Sequence, residues 1–189
     1  MSSRLLFVLL IAPLIDRASP AATLRYWVEP CTYAENVCHA DDPELAQWAM
    51  EAWQAASEGH LTLERVSSRE KAHIRLFWTG GRPGLYGEAR PIMVEGVRGA
   101  EVYVVTPDAG RDPLLRDAIV YLTCVHETGH ALGLAHTDAF ADIMYSFQYG
   151  GDIAEYFGRY RRKLAGRTDM HKTSALSDDD RKSLMARYR

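Results

Sequence analysis

Four residues in one short string, His126-Glu127-Thr128-Gly129-His130-Ala131-Leu132-Gly133-Leu134-Ala135-His136, are of types that bind metal ions or move protons. In a helix, side chains four apart differ by only about 40° around the axis, so His126 and His130 project side by side, one turn apart. Two imidazoles placed in this way clasp one ion, and imidazole nitrogen suits Zn²⁺. Glu127 lies between them in angle, within reach of a metal-held water and not needed as a ligand. A third ligand has to approach from another side. Gly133 lets the chain leave the helix axis, and His136 follows it. Three protein ligands leave a fourth position for water, which is how a catalytic rather than a structural zinc is held. With the chain's own residue frequencies, the full pattern arises by chance in roughly 1 of 20,000 such chains. Three unrelated core histidines are therefore a poor explanation. Cys124 points about 200° away from His126 around the helix and reads as a buried, inert thiol.

The elements that must position this string can be read on either side of it. Thr23 to Val28 alternates in the manner of a strand. Asp42-Pro43 opens a helix, with Asp42 as cap, that stops at Gly59. Its apolar face carries Leu45, Trp48, Ala49, Ala52, Trp53 and Ala56. Ala72 to Trp78 is a second strand, and Leu85 to Ala89 and Glu101 to Val105 are shorter ones between glycines and prolines. Asp112-Pro113 repeats the cap-then-proline signal and starts the histidine-bearing helix, which runs to Gly133. A third helix begins at Asp152, with Ile153, Tyr156, Phe157, Tyr160 and Leu164 on one face, and a last helix runs from Ser177 to the end. Strands come early and helices late, which predicts an α+β fold rather than a wound βαβ sheet.

The histidine string, together with Met144 downstream, resembles the metzincin zinc endopeptidases. The resemblance implies a zincin-like catalytic domain: a twisted mixed β-sheet, an active-site helix, a methionine turn and a C-terminal helix. It implies further that Met144, in Asp142-Ile143-Met144-Tyr145, packs beneath the imidazoles as an apolar floor and is not a ligand. Within that group the detail is similar to the matrixin branch. Thr137 follows the third histidine, and Ser146 stands where astacin-like and serralysin-like turns carry a tyrosine. Leu176-Ser-Asp-Asp-Asp180 resembles the start of the matrixin closing helix. On that match Asp179 and Asp180 anchor the methionine turn or the N-terminal segment; otherwise they are an ordinary acidic helix start. The chain also departs from the pattern. Between Trp78 and Arg111 it has no histidine and only Asp108, so no further structural zinc or calcium is expected there. It carries no Pro-Arg-Cys-Gly latency motif, so a cysteine switch is not expected.

The chemistry implied is peptide hydrolysis by a zinc-activated water, with Glu127 as general base and then as proton donor to the leaving amine. An extended peptide or protein substrate would add to a sheet edge, for which Leu85 to Ala89 is the candidate. Phe147 and Tyr149 either line a substrate pocket or pack on the core. A basic run, Arg159, Arg161, Arg162, Lys163 and Arg167, is either a solvated helix face or a cleft wall favouring acidic substrates. Two other readings stay open: a zinc hydrolase acting on a non-peptide amide, and an inactive zinc-binding interaction protein. His39, His60, His73 and His171 are read as surface or packing residues.

Composition bounds these readings without choosing among them. A chain of 189 residues with 47% hydrophobic and 25% charged residues is globular and has one domain's worth of core. With 22 basic and 25 acidic residues it has no broad basic field to recommend nucleic acid as a partner. Arg4, the apolar run Leu5 to Ile15 and the small residues from Ala18 to Ala22 read as a secretory signal peptide over 1–21, too short for a stable membrane span. Residues 22–189 are then a single catalytic domain of a secreted or otherwise extracytoplasmic protein, a monomer being favoured. Cys31 and Cys38 are spaced to close a small disulfide in such a compartment, although with three cysteines the pairing is open.

Overall fold

The computed structural model describes residues 21–32, 37–80, 86–108 and 110–189. The signal-peptide segment lies outside the described residues except for Ala21, and so does Leu85. Among the described residues, five strands form one sheet: β1 (Ala22–Val28), β2 (Leu61–Arg65), β3 (Ile74–Thr79), β4 (Gly87–Val94) and β5 (Val97–Val105). Their order is β2-β1-β3-β5-β4, with only β4 antiparallel to its neighbour. The described residues also form the α-helices α1 (Asp42–Ala56), α2 (Pro113–Ala131), α3 (Ile153–Arg161) and α4 (Asp178–Tyr188).

The strands alternate although most of them are parallel. Leu24, Tyr26, Val28, Ile74, Leu76, Val102 and Val104 are buried on one face. On the opposite, half-exposed face Trp27 lies against Phe77 and Phe77 stacks on Tyr103, with ring centroids 5.5 and 5.3 Å apart. The main core thus lies on one side of the sheet, between it and α1 and α2. The indole of Trp53 on α1 donates to the Val125 carbonyl of α2 at 2.8 Å, which ties the two helices together in the core.

Three sequence expectations change here. First, β1–α1–β2 is a parallel crossover: Ala22 pairs with Leu61 and Leu24 with Leu63. The strict segregation of strands and helices assumed for an α+β chain therefore does not hold, because the five-residue β2 was too short to announce itself. Second, the sequence suggests short separate strands at 85–89 and 101–105; residues 87–89 and 101–105 belong to one long hairpin. Glu95 and Gly96, both at positive φ (52° and 80°), form its two-residue turn and bring Val94 opposite Val97. Pro91 sits inside β4, where only an edge strand tolerates it. Third, Asp42 does not cap α1 with its side chain. It is buried, pairs with the buried Arg116 of α2 (Nη2 to Oδ2 2.6 Å), and accepts the His39 backbone N–H. Asp112 caps α2 as its position implies, accepting from Leu115 N at 3.1 Å.

Cys31 and Cys38 are joined as a disulfide with their Cα atoms 5.9 Å apart, and Cys124 is buried. Among the described residues no helix is long and apolar enough to cross a membrane.

Candidate metal centre

The C-terminal half of α2 faces β4 across a cleft of about 360 Å³. His126 and His130 stand one turn apart on α2, as the helical period requires. Gly133, at φ +89°, then ends the helix: its N–H bonds the His130 carbonyl and the Leu134 N–H reaches back to Gly129. An L-residue would be strained there, and a Cβ would strike the Arg187 guanidinium of α4 at 2.4 Å. The turn carries His136 back over the helix. His136 Nε2 lies 3.2 Å from His126 Nε2 and 3.0 Å from His130 Nε2.

These separations suit one small cation. A tetrahedral centre with metal–nitrogen distances of about 2.05 Å has edges of about 3.3 Å. Two of the three rings are held from behind by backbone carbonyls. His126 Nδ1 is 2.6 Å from the Ile143 oxygen, and His130 Nδ1 is 3.0 Å from the Leu134 oxygen. Each Nδ1–H therefore donates to a carbonyl, which leaves the Nε2 lone pairs turned towards a common point. Burial pulls the His126 pKa down to about 4, against the opposing pull of its bond to Ile143. Burial also lowers that of His136, with His130 adding to the effect. Both imidazoles are thus neutral at neutral pH, the form a metal ligand needs.

Glu127 also faces the cleft and is 6% exposed. Burial, and then the nearby Glu88 carboxylate on β4, push its pKa up to about 8. A cation held by the three histidines would draw it down again. A carboxyl poised in this way can take up and release a proton near neutral pH.

Met144 is buried and lies against Gly129 of α2. Gly129 makes room for it, since a Cβ there would lie 2.3 Å from the Met144 sulfur. The segment carrying Met144 is held by α4. Asp180, 1% exposed, accepts the N–H of Ile143 at 2.8 Å and of Met144 at 3.3 Å, while also closing a capping box with Ser177. Asp179 points elsewhere, to Lys182.

No family model matches the chain. Among solved structures, the chain is similar to archaemetzincin from Methanopyrus kandleri at 16% identity and a TM-score of 0.48, over 92% of this chain and 98% of that one. Chemistry is not inherited at that distance and rests here on the chain's own residues.

Beside the histidines, much of the cleft lining is apolar: Tyr86, Leu122, Tyr145, Phe147, Tyr156 and Phe157. Phe147 is thus placed at the pocket. Tyr149 is not; it lies at the end of a short 3-10 turn, 57% exposed, because that turn rotates it away from the cleft. Sequence reading missed Tyr86, Leu122, Tyr156 and Phe157. The helical period flagged Tyr156 and Phe157 only as one apolar face, and no local signal says that this face closes a cleft. The basic run does not line the cleft. Arg161 bonds Asp112, Arg162 bonds Glu155, Arg167 bonds Glu44, and Arg159 lies over the rings of Phe140 and Tyr156. These four charges are used inside the domain and Lys163 lies outside the cleft, so a preference for acidic substrates has no support from the run.

Of the remaining histidines, His73 is buried and accepts the Arg25 N–H at Nδ1, and His171 stacks on Trp48 beside Glu51. Both are packing residues.

Proposed function

We propose that the protein is a zinc-dependent endopeptidase of the metzincin type, matrixin-like in its turn, acting as a single catalytic domain after export. The observation that carries this reading is the convergence of three histidine Nε2 atoms beside a buried glutamate at the mouth of an apolar pocket. His126, His130 and His136 would hold the metal, and Met144 would serve as the floor of the methionine turn. When bound, Zn²⁺ supplies Lewis acidity, lowering the pKa of water and polarising a carbonyl.

The remaining chemistry belongs to the protein's own residues. Glu127 takes the proton of the attacking water and returns it to the departing amine. β4 lies at one edge of the sheet and flanks the cleft through Gly87, Glu88 and Ala89, so an extended peptide can add to it as a further strand. The pocket walled by Phe147, Tyr156 and Phe157 takes a large apolar side chain next to the bond that is cut. The disulfide between Cys31 and Cys38 supports an oxidising, extracytoplasmic location, with residues 1–21 removed.

The test is turnover of casein and of a proteome-derived peptide library. Cleavage should disappear with 1,10-phenanthroline and return with Zn²⁺, and the cut sites should share a bulky apolar residue. A protein that binds one zinc and cuts no peptide would overturn the peptidase reading.

A further inference from the structure

Helix α3 touches the metal centre indirectly through one residue that the proposed chemistry does not use. Tyr156 is 5% exposed, and its ring forms part of the pocket wall against Phe147 and Phe157, with centroids 5.2 and 5.4 Å away. Its hydroxyl leaves the pocket and reaches the polypeptide behind it. It lies 3.0 Å from the Asp142 carbonyl oxygen and 3.2 Å from that of Ile143. The Ile143 oxygen is the one that accepts the Nδ1–H of His126. A carbonyl has two lone pairs, so it can serve both donors at once.

The same short stretch is held from the other side by α4. Asp180 accepts the N–H groups of Ile143 and Met144, and Ser177 Oγ bonds the Asp142 carboxylate at 2.8 Å. The carbonyl that aims His126 is thus fixed on its N–H side by α4 and on its C=O side by α3.

We propose that Tyr156 is a positioning residue for the metal centre: its hydroxyl fixes the Asp142–Ile143 carbonyls from which His126 is aimed, and so couples the pocket wall to one metal ligand. The proposal rests on the zinc reading above. Burial keeps the hydroxyl protonated, and therefore a donor, well beyond the ordinary tyrosine range. Outer-shell partners of ligating histidines typically govern metal affinity by roughly 10- to 100-fold. Tyr156 acts one bond further out, so the lower end of that range is expected.

Tyr156→Phe keeps the ring and deletes the donor. Three measurements are made on the full chain: Zn²⁺ affinity by competition with a chromophoric chelator, the visible bands of the Co²⁺-loaded protein, and steady-state kinetics (kcat and KM) on a peptide with a bulky apolar residue. The variant should bind Zn²⁺ roughly ten-fold more weakly, shift the Co²⁺ bands and lose kcat, with KM and side-chain preference unchanged. Replacement of Tyr156 by 4-aminophenylalanine restores a donor and should recover the parent affinity. Tyr149→Phe deletes an exposed tyrosine hydroxyl outside the cleft and should leave affinity and bands unaltered. If Tyr156→Phe does not fold, 4-fluorophenylalanine at that position makes the same deletion with a closer fit. Parent-like affinity and bands in the donor-less variant would overturn the proposal and leave the zinc reading standing. A parent protein that binds neither Zn²⁺ nor Co²⁺ would overturn both.

Discussion

The Ile143 carbonyl oxygen stands 2.6 Å from His126 Nδ1, across seventeen residues of chain, and so decides which imidazole nitrogen faces the cleft. That carbonyl is in turn placed by Asp180, whose carboxylate receives the N–H of Ile143 and of Met144. Asp180→Ala strands these two donors in a buried site and unpairs the half-buried Ser177 N–H. The expected loss is about 3 kcal/mol, read as a fall in melting temperature of about 6–12 °C. Metal affinity should fall with it. A variant that melts like the parent would show that α4 does not hold this segment.

Glu127→Gln retains the size of the side chain and removes its capacity to accept a proton. Zinc content measured by mass spectrometry should be unchanged, since the proposed ligands are the three histidines. Peptide turnover should drop by roughly 100- to 10,000-fold. Activity within a few-fold of the parent would remove Glu127 from the proposed mechanism.

Phe147 and Tyr149 are two residues apart and differ in what they reach. Phe147→Ala should widen the pocket and move cleavage towards larger or more varied side chains, visible in a peptide-library profile. Tyr149→Ala, on an exposed ring outside the cleft, should leave the profile as it was. The reverse outcome would misplace the pocket.

Alkaline pH should unfold the protein through its buried tyrosines. Burial raises the pKa of Tyr121 to about 12 and drives those of Tyr156 and Tyr160 higher still. In the unfolded chain the same groups ionise near 10. A raised folded-state value means the contribution is fully present below about pH 10 and is lost as pH climbs towards the folded value. Each such tyrosine should cost about 1.4 kcal/mol of stability per pH unit across that window. Absorbance at 295 nm and circular dichroism should change together for these residues. Ionisation of all the tyrosines with the fold intact would contradict the burial described here.

The sequence was most informative where structure is local. Asp112-Pro113 marks the start of α2, Gly133 marks its end, and a helical period of 100° per residue brings His126 and His130 together in any fold. It was least informative where structure is made by pairing. β2 has five residues and little pattern of its own, yet β1 holds it in register from Ala22 to Tyr26. The two halves of the β4–β5 hairpin looked like isolated short strands, because Pro91 and Gly99 interrupt the apolar pattern without interrupting the ladder. Asp42 looked like a cap and became half of a buried ion pair with Arg116, a partner that no window of sequence could contain.

By itself, the sequence determined which side chains can bind a metal, and that two of them share a helix face, because neighbours along a helix are set by bond geometry. Only the tertiary structure decided where His136 closes on them, that Glu127 is buried beside Glu88, that Ile143 aims His126, and that Tyr156 rather than Tyr149 walls the pocket. Those relations join residues far apart in the chain. They are settled by how α2, α3, α4 and the β4 edge pack together, and no local preference encodes that packing.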